Sequence, residues 1–224
     1  MKFFLSLFLF INLISRATIC VASSDHLPLH LQNPPLFNIT ASNQHQFIWF
    51  RVAKVGTRTI LDILEKHSEL TISGYSVPFE AKKSKNYFKF AFVRNPWDRV
   101  VSCYHKQVVT KINPHYHACW DKDFDFFIDF IASQNLTRCD VHIKQQTALI
   151  PLKDVDFIGR FENFEEDLRY VLAAIGLSHA EIAHKNKSEH KHYSEYYTKR
   201  TQDIIYKKYR KDIKTFGYQF ERLK

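Results

Sequence analysis

Lys54, Gly56 and Arg58 occupy alternate positions in the stretch FIWFRVAKVGTRT, residues 47–59. Arg94 and Ser102 lie within a second stretch, YFKFAFVRNPWDRVVSCYHKQV, residues 87–108. A lysine and an arginine on either side of a glycine can bring positive charge and close-approaching backbone amides to one anion, and an arginine fork with a hydroxyl can grip another. The chemistry these residue types suit is the holding of phosphate or sulfate groups. A nucleoside triphosphate loop needs GxxxxGK[ST], with the lysine after the glycines, and an acidic residue at a neighbouring strand end to hold a metal. Here Lys54 precedes the single Gly56 and the next apolar run ends in Arg94, so a metal-free, doubly basic site is expected.

The elements that must position these residues can be read from hydrophobic pattern. Phe47, Ile48, Trp49, Phe50 and Val52 form an apolar run suited to a strand, and Ile60, Leu61 and Leu64 recur at helical spacing after the basic turn. Lys54, Val55, Gly56, Thr57, Arg58 and Thr59 thus occupy a strand-to-helix loop, where the first helical amides have no partner inside the helix. Residues 88–93 read as a buried parallel strand. Asn95 suits a helix cap, Pro96 the first helical position and Asp98 a capping box, with Trp97, Val100, Val101, Tyr104 and Val108 as the buried stripe. Arg94 then emerges at a strand's carboxyl end, where ligands sit in open α/β sheets, and Ser102 falls off the stripe.

These two stretches resemble the Golgi carbohydrate sulfotransferases of sulfotransferase family 2, which includes the chondroitin, dermatan, HNK-1 and heparan 2-O-sulfotransferases. In that family a PKxGxT loop binds the 5′-phosphosulfate of PAPS (3′-phosphoadenosine-5′-phosphosulfate), and a strand followed by FVRDPxxRLVSxY binds its 3′-phosphate. Residues 53–59, AKVGTRT, match the first with alanine in place of proline, and residues 92–104, FVRNPWDRVVSCY, match the second. The likeness continues through VDFIGRFENFEEDL and NKSEHKHYSEYYT to the closing FGYQF.

The resemblance implies an α/β domain of P-loop NTPase-like type, a parallel sheet flanked by helices, that moves a sulfuryl group from PAPS to a carbohydrate hydroxyl without a metal. It implies that the amides of residues 56–59 and the Thr57 or Thr59 hydroxyl hold the 5′-phosphosulfate, that Arg94 with Ser102 holds the 3′-phosphate, and that Lys54 stabilises or protonates the leaving oxygen. The acceptor also needs a general base. Relatives place one between the two motifs, where Glu80, His67 and Glu69 lie, with Glu80 first among them; His142, in DVHIKQQ, is a further candidate. The expected acceptor is an anionic glycan rather than a tyrosyl side chain, and no nucleic acid is expected. Two readings of other classes compete: a secreted module that binds anionic glycans without catalysis, against which Lys54, Arg94 and Ser102 all stand intact, and a lumenal kinase, which the lysine order disfavours.

Charge agrees with an anionic partner. The chain of 224 residues carries 32 Lys and Arg against 23 Asp and Glu, a net +9. Residues 1–22 read as a signal peptide, with Lys2, an apolar core over residues 3–14 and small residues before Ser23; the core is short against the ~20 residues that span a bilayer. An uncleaved signal anchor, which would tie the protein to a membrane, is the alternative. Cleavage would remove Lys2 and Arg16 and no acid. Sequons at Asn38, Asn135 and Asn186 fit passage through the secretory pathway to the Golgi lumen or beyond. Residues 23–45, with Pro28, Pro34 and Pro35, read as a stem, and residues 46–224 as the sulfotransferase domain.

Cys119 and Cys139 bracket an aromatic helix over residues 124–131, and a bridge between them would stabilise by roughly 3 kcal/mol in an oxidising lumen; Cys103 is then left as a buried thiol, and other pairings stay open. Residues 155–159 read as a third strand with Arg160 at its exit, followed by a helix with an Asn163/Glu166 capping box that Gly176 stops. Glu162 and Asp167 read as structural. The polar run over residues 179–197 is either a solvated loop or, by resemblance, a flap using Lys187, Ser188 or Lys191. One last helix is expected over residues 201–216, with Ile205, Tyr209, Ile213 and Phe216 as its core stripe.

Overall fold

A computed structural model describes residues 34–182 and 191–222. The leader over residues 1–22, Asn186, Lys187 and Ser188 lie outside the described residues. Five strands form one sheet in the order β3-β1-β2-β4-β5. They are β1 (Leu36–Ser42), β2 (Phe47–Phe50), β3 (Ile72–Pro78), β4 (Phe88–Val93) and β5 (Phe157–Arg160). β2, β4 and β5 are parallel, with Phe50 opposite Ala91 and Val93 opposite Arg160. β1 is antiparallel to both β2 and β3, so the sheet is mixed and not parallel throughout.

The two antiparallel pairings correct the sequence reading in one more respect. β1 lies within the stretch assigned to a stem, and Ile39 and Ala41 are in the core. The prolines at 34 and 35 precede a strand instead of filling a linker. β3 was not anticipated because its sequence, ISGYSVP, is an exposed edge with glycine, proline and no apolar alternation.

Among the described residues six α-helices accompany the sheet: α1 (Thr57–His67), α2 (Pro96–Cys103), α3 (Phe124–Ser133), α4 (Phe164–Ala174), α5 (Lys199–Lys208) and α6 (Arg210–Phe216). Ile60, Ile63 and Leu64 of α1 and Leu168, Val171 and Leu172 of α4 pack with Phe47, Trp49, Phe90 and Phe92 of the sheet in one core. Trp97, Val100 and Val101 of α2 join Phe127, Ile128 and Ile131 of α3, with Ile205, Tyr209 and Ile213, in a second. Asn95 caps α2 by accepting from the Trp97 amide, with Pro96 at the first position. The expected last helix is broken at Tyr209, whose φ of −106° and ψ of 19° depart from helical values. Its buried hydroxyl donates instead to the Ile143 carbonyl at 2.6 Å. α2 runs on into a π-helical turn, Tyr104–Val109.

Two expected caps take other partners. Asp98 pairs with Arg94 instead of closing a capping box. Asn163 precedes α4 without a side-chain cap and donates to Asp167. Cys103, Cys119 and Cys139 are all free thiols, so the bridge expected between Cys119 and Cys139 is not formed. Among the described residues no helix is long and apolar enough to cross a membrane.

Candidate functional site

The parallel strands β2, β4 and β5 end on one edge of the sheet, and the basic residues gather there. After β2 the chain turns sharply: Lys54 has φ of 74° and Gly56 φ of 81°. A lysine in the left-handed region is strained by roughly 1–2 kcal/mol, so its surroundings must hold it there. Two arginines do so. Arg94 Nη1 donates to the Lys54 carbonyl at 3.2 Å and Arg99 Nε to the Ala53 carbonyl at 2.9 Å. Gly56 is required on two counts, since a Cβ on it would also lie 2.4 Å from the Phe164 ring.

The turn delivers the N-terminus of α1 to this edge. The first intrahelical bond runs from the Ile60 amide to the Gly56 carbonyl, so the amides of Thr57, Arg58 and Thr59 lack helical partners and suit an anion. The threonine hydroxyls are less suited than expected. Thr57 Oγ1 donates to the Val52 carbonyl at 2.7 Å and Thr59 is buried. Val55 is wholly buried, so only its backbone can face a ligand. Lys54 is largely buried, and burial pushes its ammonium down to about 8, with the positive charges of Arg94, Lys106 and Arg58 acting in the same direction. Lys106, on the π-helical turn, is a cation of this site that sequence reasoning missed.

Arg94 is 6% exposed and heavily engaged. Nε and Nη2 donate to the two oxygens of Asp98, at 2.8 Å each, and the guanidinium lies 3.9 Å from the Phe161 ring centroid. Its backbone is held by the Gln146 side chain, which accepts from the Arg94 amide and donates to the Arg94 carbonyl, both at 2.9 Å. Gln146 is in turn fixed by the wholly buried Asp212, which accepts from the amides of Gln146 and Thr147 and from the Thr147 hydroxyl. Ser102 is buried, not surface-facing, and lies one helical turn beyond Asp98. Glu162 accepts from the Asn95 amide and the Tyr218 hydroxyl, and Asp167 from the Arg160 amide, which gives both the structural roles expected. Lys191 is exposed and lies 3.9 Å from Glu195.

The base candidates separate. His67 ends α1 at the opposite end from the loop, about 15 Å away at ~1.5 Å rise per residue, where it packs edge-on to His179. Glu69 follows it on the surface. Glu80 follows β3 at the same edge of the sheet as the loop, but β1 stands between β3 and β2 and Glu80 pairs with Lys83 in solvent.

His142 is tied to the loop. Besides the Ala53 carbonyl, Arg99 donates to the carbonyls of Val141 and Lys144 at 2.9 and 2.8 Å. One buried guanidinium therefore fixes the residue before Lys54 and the residue before His142. Nothing in the local pattern around Arg99 signalled this clamp, because its partners are distant in sequence. Among the described residues no cluster of His, Cys, Asp and Glu is arranged to hold a metal ion.

Comparison with known proteins bears on this arrangement. The profile of the sulfotransferase family matches residues 37–219. Carbohydrate sulfotransferase 11 of Rattus norvegicus is 26% identical over 134 residues, covering 48% of this chain and 38% of that protein. Carbohydrate sulfotransferase 10 of Xenopus laevis is 23% identical over 243 residues, covering 82% and 68%, and its Homo sapiens counterpart is 24% identical over 192 residues, covering 69% and 53%. The chain thus spans from just over a third to about two thirds of the length of these relatives. No solved structure matches it. The family match takes in β1 through α6 and every residue of the basic edge, and the chain belongs to the sulfotransferase family.

Proposed function

We propose that this protein is a PAPS-dependent sulfotransferase of the secretory pathway, acting on a hydroxyl of a carbohydrate acceptor by in-line transfer. The observation that carries the reading is the basic edge itself. Lys54, Arg58, Arg94 and Lys106 gather at one strand-to-helix turn, where burial first and the neighbouring positive charges second depress the Lys54 ammonium. Such a cluster of like charge is stabilised by a bound polyanion. The donor set suits PAPS: three amides and a lysine at the turn, with Arg94 joined to it by the contact to the Lys54 carbonyl, and Ser102, about two turns farther along, would add a hydroxyl.

PAPS when bound would supply the sulfuryl group. The amides of residues 57–59 would hold its 5′-phosphosulfate, with Gly56 allowing close approach. Arg94 has three of its five N–H groups engaged by Asp98 and Lys54, which leaves two for the 3′-phosphate. Lys54, still mostly protonated at physiological pH but holding its proton less tightly than an ordinary lysine, can stabilise charge on the leaving oxygen or donate a proton to it. A likeness to the P-loop nucleotide kinases in overall fold belongs to the same proposal, resting on the β2-loop-α1 layout. So do a Golgi location and an anionic glycan acceptor, the latter supported by the net charge of +9.

The test is calorimetric titration of the protein with PAP (3′,5′-adenosine bisphosphate) in metal-free buffer with ATP as competitor, followed by transfer from radiolabelled PAPS to a panel of desulfated glycans. Tight PAP binding that ATP does not match, with label in a glycan, supports the reading. Folded protein that ignores PAP refutes it.

A further inference from the structure

Asp140 is a carboxylate for which the loop chemistry has no use, yet its Oδ1 is the acceptor at the centre of a tight cluster. It receives the Tyr116 hydroxyl at 2.6 Å, the His142 amide at 3.0 Å and the His142 ring through Nδ1 at 2.8 Å. Tyr116 is wholly buried beside the Cys103 thiol, and Cys103 lies in turn beside Lys54. The imidazole is a quarter exposed, and among the described residues Nε2 has no hydrogen-bond partner. A carboxylate can only accept, so the ring nitrogen facing Asp140 must carry the hydrogen. That leaves the lone pair on Nε2.

We propose that Asp140, braced by Tyr116, is a positioning residue that holds His142 as the Nδ1–H tautomer with Nε2 available to take the proton of the acceptor hydroxyl. The inference rests on the sulfotransferase reading and deepens it by choosing His142 over Glu80. In the step it serves, the acceptor O–H proton passes to Nε2 as the new O–S bond forms, while the S–O bond to the phosphate breaks and its electron pair leaves on the phosphate oxygen. The orienting role of a third group behind a base is a general device. Burial works against ionisation of Asp140, but the hydrogen bonds from His142 and Tyr116 outweigh it and hold the carboxyl well below the usual range. The other titratable groups acting on Asp140 are the Cys103 and Cys139 thiols, beside which lie the cations Arg99 and, at Cys139, Lys144.

The test uses the full chain and Asp140→Ala, Asp140→Asn and Tyr116→Phe, with His142→Gln to identify the ring signals. Nitrogen-15 NMR of the histidine rings is expected to show His142 as the Nδ1–H tautomer in the wild type and to lose that preference in Asp140→Ala. In transfer assays Asp140→Ala is expected to lower kcat about 100-fold, within the range for a general base, while PAP affinity stays within about twofold. Asp140→Asn keeps an oxygen that can accept the same three bonds, so it should recover the tautomer and part of kcat. Tyr116→Phe, which preserves volume, should cost about three- to tenfold in kcat.

An Nε2–H tautomer in the wild type, or a tautomer and kcat indifferent to Asp140→Ala, overturns the proposal. Should Asp140→Ala fail to fold, Tyr116→Phe and Asp140→Asn decide it by the same readouts. A wild type that binds no PAP defeats the sulfotransferase reading instead, and the NMR measurement still judges the Asp140–His142 arrangement.

Discussion

Arg94 and Asp98 meet fork to fork, Nε and Nη2 of the one on the two carboxylate oxygens of the other at 2.8 Å each, one helical turn apart and almost shielded from solvent. The arginine expected to grip a phosphate is already satisfied by an acid in the first turn of the helix that follows it. Asp98 therefore does two opposing things: it fixes the guanidinium in place, and it sets a negative charge beside the proposed anion site.

Removing the acid should separate the two effects. Asp98→Asn weakens a mostly buried pair and should lower stability by about 2–3 kcal/mol, yet it should tighten PAP binding by about five- to tenfold because the repulsion is gone and more of the fork is open. Arg94→Lys cannot reproduce the bidentate contact or reach the Lys54 carbonyl at the same time, so it should weaken both stability and PAP binding. Thermal denaturation and calorimetry on the two variants check the opposite signs. If Asp98→Asn weakens PAP binding, Arg94 works through its place in the fold and not as a ligand.

The Lys54 ammonium predicts a pH dependence of definite sign. Its folded value of about 8 lies below the ordinary 10.5, so the unfolded chain binds this proton more tightly. Below pH 8 the charged form opposes folding by about 3 kcal/mol, from ~1.4 kcal/mol per unit. The penalty is relieved as pH rises from about 8 to 10.5. Lys54→Met should accordingly stabilise the ligand-free protein at pH 7 while abolishing transfer. A bound anion favours the charged form, so PAP binding at pH 8–9 should take up a proton and weaken above that range. Calorimetry in buffers of different ionisation enthalpy reads the uptake directly, and none at pH 8.5 would contradict the assignment.

The sequence carried the parts of the fold that are local. The β2-loop-α1 unit, the buried β4, the Asn95 cap and Pro96 all follow from apolar period and capping chemistry, and each is where the pattern put it. What was not legible depends on contacts between distant residues. The prolines before β1 give it the pattern of a stem, and only pairing with β2 and β3 makes it a strand. Asp98 looked like a cap because its partner Arg94 lies just outside the helix. Arg99, Gln146 and Asp212 gave no signal, since what marks them is burial with backbone partners some 40 to 70 residues away.

Gly56 makes a stability prediction independent of any ligand. Alanine there would carry the cost of a left-handed conformation, about 1–2 kcal/mol, and push its Cβ into the Phe164 ring, for a total of about 2–4 kcal/mol. Phe164→Leu should relieve the second part but not the first. A double-mutant cycle by denaturant unfolding is expected to show the two substitutions coupled by about 1–2 kcal/mol. Strict additivity would mean that the ring moves aside freely and that only the backbone conformation demands glycine.

Arg99 gives the prediction that bears most on catalysis. It is 1% exposed, and three of its N–H groups end on the carbonyls of Ala53, Val141 and Lys144. These carbonyls flank Lys54 and His142, the residues proposed to act on the leaving oxygen and the acceptor proton. A lysine at 99 would carry the same charge but could not span three carbonyls in a fixed plane, so Arg99→Lys should let the two segments drift independently. The expected result is a fall in kcat of about 100-fold with PAP affinity changed by less than about fivefold, since a misplacement near 1 Å is enough for such a loss. Residues that act as a unit are non-additive. In the Arg99→Lys background, His142→Gln should therefore cost much less than it does alone. If the two losses multiply in full, the clamp contributes to stability only, and alignment of Lys54 with His142 must come from the bound substrates.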